Sequence, residues 1–155
     1  MLDVEVSERP ESFNGGGGLY STGPDYARFL RMLLEGGQLD HARVLRSETV
    51  ADMARNHVGN LTVGALRSVM PGTSNDAEFF PGLEKKWGLG GMINTAETPT
   101  GRSAGSWAWA GLANTYFWID PTRSVGGLIL TQILPFCDAR VLDLFAQFER
   151  LIYAE

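Results

Sequence analysis

With 155 residues, 44% of them hydrophobic, the chain can fill one ordinary core, and no second domain is expected. A formal net charge of −5, with no basic cluster beyond Arg28/Arg31 and Lys85-Lys86, argues against a nucleic-acid or anionic-membrane surface. A single cysteine, Cys137, excludes an internal disulfide and a cysteine-based zinc site. No apolar run is long enough to cross a bilayer, and Met1 to Pro10 is acidic and polar, unlike a signal peptide. No membrane partner is therefore expected. The cytoplasm is the favoured address, although the compartment itself stays open.

In chain order, residues 1–14 carry no periodicity and read as a loose lead-in, closed by Asn14-Gly15-Gly16-Gly17-Gly18. Thr22 is a good helix N-cap, with Asp25 three residues on and Pro24 tolerable in the first turn. Tyr26, Phe29, Leu30, Leu33 and Leu34 then fall on one helical face, and Gly36-Gly37 supplies the stop. A turn with a short extended piece around Val44-Leu45 follows. Ser47 is expected to cap a second helix through about Arg55, with Val50, Met53 and Ala54 turned inward. Residues 1–57 thus form a helical region, and 58–81 a long loop of the kind that is functional or disordered.

From 82 to 155 the pattern is antiparallel strands and a closing helix. Trp87 to Ile93 reads as one strand, Glu97 to Gly105 as a polar turn region. Strands are then expected near Ser106–Ala110, Asn114–Ile119 and Val125–Ile133, with Pro121 to Ser124 as the last hairpin. Asp138 can cap a final helix whose apolar face is Val141, Leu142, Leu144, Phe145, Phe148, Leu151 and Ile152. The class is α+β, with the last helix covering the sheet.

Candidate chemistry is sparse. Gly101-Arg102-Ser103-Ala104-Gly105 satisfies Gly-x-Ser-x-Gly, which makes Ser103 a nucleophile candidate. That elbow needs a strand before it and a helix after it, whereas a Pro99-containing turn precedes and a strand follows, so a surface-turn serine is the competing reading. The tetraglycine lacks the Gly-Lys-Ser/Thr of a phosphate loop. His41 and His57 share no helical face, so no metal site and no cofactor is expected. Asp120-Pro121 reads as a turn, and Cys137 as a small residue near a helix start with no base beside it.

Five segments add a resemblance. Gly16-Gly17-Gly18-Leu19-Tyr20-Ser21-Thr22, Asp25-Tyr26-Ala27-Arg28-Phe29-Leu30, Glu48-Thr49-Val50-Ala51-Asp52-Met53, Trp87-Gly88-Leu89-Gly90, and Trp109-Ala110-Gly111 with the aromatic strand ending in Asp120-Pro121 occur in that order. They resemble the serine β-lactamase-like esterases, the branch near class C β-lactamases and related to penicillin-binding proteins, over roughly residues 14 to 153. The resemblance implies the C-terminal part of a β-lactamase/transpeptidase-like fold, with an antiparallel sheet covered by helices. It also implies acyl transfer to water through an acyl-serine, on a small ester or amide. Trp109, Ala110, Gly111 and Leu112 become the substrate pocket wall, with the Leu112 N–H as an oxyanion donor, and glycine at 111 suits close approach of a substrate. The chain departs from the family in holding no Ser-x-x-Lys and no Tyr-x-Asn, and in placing Ala110 and Asn114 where smaller or hydroxyl residues are usual, tightening or re-polarising the pocket. The expectation is a pocket wall without its nucleophile, inactive alone, which self-associates or pairs with an upstream part. The alternative is a non-catalytic binding or assembly module on the same scaffold.

Overall fold

The computed structural model describes residues 9–13, 15–17 and 19–154; most of the lead-in, with Asn14 and Gly18, lies outside them. Helix α1 (Gly23–Leu34) starts where Thr22, in extended conformation, accepts a hydrogen bond from the Asp25 N–H. Pro24 costs nothing in the first turn, where its N–H would have no helical partner, and Leu30, Met32 and Leu33 are buried. Gly36 and Gly37 end the helix at φ 62° and 90°, and a side chain at Gly37 would collide with the Leu45 carbonyl. The extended piece lies earlier than expected. It is a minimal hairpin, β1 (Gln38–Leu39) and β2 (Ala42–Arg43), turned by Asp40 and His41, both at positive φ. Two-residue hairpin loops demand that conformation, and strands this short show no alternation in sequence. Helix α2 (Ser47–Met53) is capped by Arg46, with no side-chain bond. Ser47 is thus the first helical residue rather than the cap. Val50, Met53 and Ala54 do pack on the core.

Residues 58–81 hold only isolated bridges, Leu66 with Ala77 and Ser74 with Phe136. The main sheet is antiparallel, in the order β3 (Lys85–Trp87), β4 (Met92–Asn94), β5 (Trp107–Gly111), β6 (Thr115–Asp120), β7 (Val125–Ile129). The expected strand from Trp87 to Ile93 is therefore a hairpin, closed by the Gly88 N–H on the Gly91 carbonyl at 2.9 Å. Gly88 fits because a side chain there would strike the Met53 carbonyl, so the turn is pressed against the end of α2.

Alternation divides the sheet into two faces. Ile93, Trp107, Phe117 and Ile119 pack against α1, while Ala108, Tyr116 and Trp118 pack against α3 (Ala139–Tyr153). Asp138 caps α3 by accepting from the Arg140 and Val141 N–H groups. Its buried stripe is Val141, Phe145 and Glu149. Leu144, Leu151 and Ile152, expected inward, are 53%, 70% and 40% exposed. Leu144 and Leu151 occupy the flank opposite Leu142 and Ala146, so the apolar arc of α3 is wider than the sheet can cover, whereas Ile152 lines up with Val141 and Phe145 but stands in the last turn of the helix.

The polar turn region from 97 to 105 is anchored in the interior by Thr98, Thr100 and Arg102, which are buried, while Glu97, Pro99, Ala104 and Gly105 between and after them are exposed. Arg102 forms an ion pair with Glu149, and its guanidinium lies 5.2–5.6 Å from the ring centres of Phe80, Phe145 and Trp118. Arg102 Nε and Glu149 Oε2 have no hydrogen-bond partner. At the far end of the sheet Asn114, fully buried at φ 59°, holds the β5–β6 turn. Its amide donates to the carbonyls of Ile133 and Pro135 at 2.8 Å, and its oxygen accepts from the Tyr116 hydroxyl and the Asp138 N–H.

Asn114 combines a left-handed backbone with four buried hydrogen bonds, and alanine supplies neither. Asn114→Ala is expected to lose about 3–5 kcal/mol of stability, measured by urea denaturation; a loss below about 1 kcal/mol would show the hub to be dispensable.

Candidate active site on strand β5

The Asn94 N–H bonds the Ser106 carbonyl at 3.1 Å, which sets the parity of β5: even residues turn their backbone groups toward β4. Strand β4 pairs only with Trp107 and Ala108. Beyond it, the backbone of Ala110 lies along a stretch that β4 does not reach. Gly111 pairs with Thr115 to close the hairpin, and the Asn114 N–H returns to the Gly111 carbonyl at 3.0 Å. Leu112 is the first turn residue, 52% exposed. Trp109, half-buried, is held at 4.5 Å and 78° by the Trp87 ring, with Phe79 edge-on at 6.4 Å. The arrangement is an open strand edge with an aromatic wall, suited to a flat acyl group hydrogen-bonded to backbone.

The structure gathers Trp109, Ala110, Gly111 and Leu112 at one end of β5. A side chain at Gly111 would meet only ordinary contact with Thr115, at 3.7 Å, so the chain's own packing does not require glycine there. Two residues expected to shape the pocket face elsewhere. The Ala110 methyl lies on the α3 side, and Asn114 points into the 133–138 segment. The supporting rings of Trp87 and Phe79 are distant in sequence, and only the Trp87-Gly-Leu-Gly segment hinted at one of them.

Ser103 stands at the opposite end of β5, after a loop and before a strand. Its N–H donates to Asp120 Oδ2 at 2.8 Å, and its hydroxyl adds to the stabilisation of the Asp120 carboxylate. The Ser103 carbonyl accepts from Asn94 and Ser106. Asp120 accepts further from the Tyr153 hydroxyl at 3.0 Å and the Arg123 N–H at 3.1 Å, and Tyr153 in turn accepts from the Trp118 indole. Burial opposes ionisation of Asp120, but the donors from Ser103, Arg123 and Tyr153 outweigh it and hold its carboxyl below the usual range. A carboxylate so stabilised is a poor general base. His57 bonds the Asp52 carbonyl at 2.7 Å, and His41 lies in the first hairpin turn. Among the described residues no cluster of metal-ligating side chains forms. Cys137 is buried, and burial pushes its thiol up, away from reactivity.

The Asp120 network makes stability pH-dependent. Its folded value lies below the unfolded one of about 3.9, so its contribution is complete above that value and is lost as pH falls through the folded value. Asp120→Asn is expected to lower the melting temperature at pH about 7 and to flatten the acid limb between pH about 5 and 2. An acid limb of unchanged slope in thermal melts would contradict this.

The family model for beta-lactamase matches residues 2–150. The Mycobacterium tuberculosis protein MT1414 is 34% identical over 140 residues, covering 86% of this chain and 32% of that protein. Lovastatin esterase of Penicillium rubens is 26% identical, covering 96% of this chain and 37% of the esterase. Among solved structures, the LovD6 mutant of simvastatin synthase from Aspergillus terreus superposes with a TM-score of 0.65 at 26% identity, over 83% of this chain and 32% of that one. The chain thus spans about a third of the length of the relatives it matches. The α+β architecture is the β-lactamase/transpeptidase-like fold, and by a family match over nearly its whole length the chain belongs to the beta-lactamase family.

Proposed function

We propose that this chain supplies the β5 wall of the acyl pocket in a β-lactamase-like serine hydrolase of the esterase type, acting on small esters or amides. The open edge of β5 beyond β4 carries the proposal, because the family-like triplet, its aromatic support and the exposed turn at Leu112 coincide there. The spare room at Gly111 supports it, since a glycine that local packing does not need suits the approach of another molecule. In this reading a serine oxygen bonds the substrate carbonyl carbon while a lysine takes its proton. The leaving alcohol or amine departs with that proton, and water then releases the acyl group. The Leu112 N–H donates to the oxyanion, an interaction worth about 3 kcal/mol where such donors have been removed. Serine and lysine at Ser-x-x-Lys spacing do not occur in this sequence, so the chain alone is proposed to be inactive.

A short-chain nitrophenyl ester and a chromogenic cephalosporin, offered to the purified chain and to its Ser103→Ala variant, test this. Turnover at the buffer rate is expected from both. Activity in the parent that vanishes in the variant would overturn the assignment and make Ser103 the nucleophile.

The same reading proposes a polypeptide partner, either a second copy or a part that completes the sheet. Strand β7 pairs only with β6 among the described strands, and Leu130, Ile133 and Leu134 beside it are 47%, 42% and 42% exposed. An unpaired edge beside apolar surface favours strand addition. Sedimentation velocity of the chain is expected to show a dimer or larger species, shifted toward monomer by Leu130→Lys. A monomer at high concentration with one cooperative melt would count against pairing.

A further inference from the structure

A recess on the α3 side of the sheet is continuous with the open edge of β5. It has a volume of about 180 Å³, and its lining joins Trp109 and Ala110 of β5 to Phe79, Tyr116, Phe145 and Ala146. The Phe79 ring lies 6.4 Å from that of Trp109 and equally far from that of Tyr116. Those two side chains alternate onto opposite faces of the sheet, so Phe79 stands at the strand edge and borders both the recess and the backbone of Ala110. Small side chains make the space: the methyls of Ala110 and Ala146 stand where larger residues would fill it. Its size is of the order that admits a single benzene-sized group.

The polar residues of the lining direct their hydrogen-bonding atoms elsewhere. The Tyr116 hydroxyl donates to Asn114 Oδ1 at 2.7 Å, the Thr100 hydroxyl bonds that of Thr98 at 2.9 Å, and Arg102 is paired with Glu149. The remaining atoms of that pair, Arg102 Nε and Glu149 Oε2, have under 1 Å² of accessible surface and offer nothing to an arriving molecule. Glu78, exposed in the same lining, repels an anion. What suits the recess is therefore apolar, uncharged and close to a ring in size. The Leu112 N–H lies two residues beyond Ala110, about 7 Å along an extended strand. A carbonyl on that donor thus needs a spacer of one or two carbons to seat a ring behind Ala110. Resting on the β5 assignment made above, we propose that the recess is the acyl pocket of that site. Its substrates are esters or amides of an uncharged arylalkanoic acid, the ring packing against Phe79, Tyr116 and Phe145. Ala110 and Ala146 set the limit on its size.

Three neutral probes separate the parts of this site in the full chain: benzene for the recess, acetamide for the Leu112 donor, and phenylacetamide for both together. Binding is read in magnetic resonance spectra from the Ala110 and Ala146 methyls and from the Leu112 N–H. Benzene is expected to move the methyls, acetamide the Leu112 N–H, and phenylacetamide both. Phenylacetamide is expected to bind about fivefold more tightly than benzene, the net gain of one neutral hydrogen bond. Ala146→Leu, which fills the recess from α3, is expected to lose the benzene response and keep the acetamide response, which also shows that the variant is folded. Methyls unmoved by benzene and phenylacetamide, a benzene response that survives Ala146→Leu, or equal affinity for benzene and phenylacetamide would each overturn the acyl pocket and leave the Leu112 donor standing. A Leu112 N–H unmoved by either amide, with methyls that respond, would instead overturn the β5 assignment and this inference with it.

Discussion

The indole of Trp118 organises this molecule. It is wholly buried on the α3 face of β6, and its neighbours are fitted closely around it. Gly127, across the strand pair, must lack a side chain, because a β-carbon there would lie within the ring. Phe145 and Phe148 meet it edge-on from α3, at 5.6 and 5.5 Å. Its N–H, which could not be left unpaired in such a place, donates to Tyr153 at 3.0 Å. That bond draws the last turn of α3 to the Asp120 network, and the Arg102 guanidinium covers part of the ring. One side chain thus links a strand, a helix end, a loop and an ion pair.

The Arg102–Glu149 pair is the most exacting part of this arrangement. Two charges so far from water recover their desolvation only through each other and through the rings around the guanidinium. Such a pair adds little net stability over an apolar substitute, yet it penalises any register of α3 that separates the partners. Loop 97–105 and α3 therefore find one relative placement.

What could be read from sequence alone followed the strength of local rules. Thr22, Asp138 and the Gly36-Gly37 stop follow hydrogen-bonding and steric rules within one turn, and the helices start and stop where these residues stand. The strands near Trp107, Thr115 and Val125 were legible through aromatic and β-branched residues between turns. The Gly88–Gly91 hairpin was not, because its glycines answer to the carbonyls of Met53 and Ala108, contacts invisible along the chain. Leu144 and Leu151 shared the helical period of the buried residues and so passed for core. At the candidate site the backbone segment 109–112 was legible by resemblance. The aims of Ala110 and Asn114 depended on strand parity and on the 133–138 segment, and no local pattern reveals either.

Asn114 also bears on what the tip of the β5–β6 hairpin can do. A three-residue turn at the end of two strands is ordinarily a place of fast, independent motion. Here its final residue is tied to Ile133, Pro135 and Asp138, and the Thr131 hydroxyl closes on the carbonyls of Ala113 and Asn114. The tip therefore moves with the start of α3 or not at all. The cost in conformational entropy of holding the Leu112 backbone still has been met during folding, so in the oxyanion role proposed above its N–H would be preorganised.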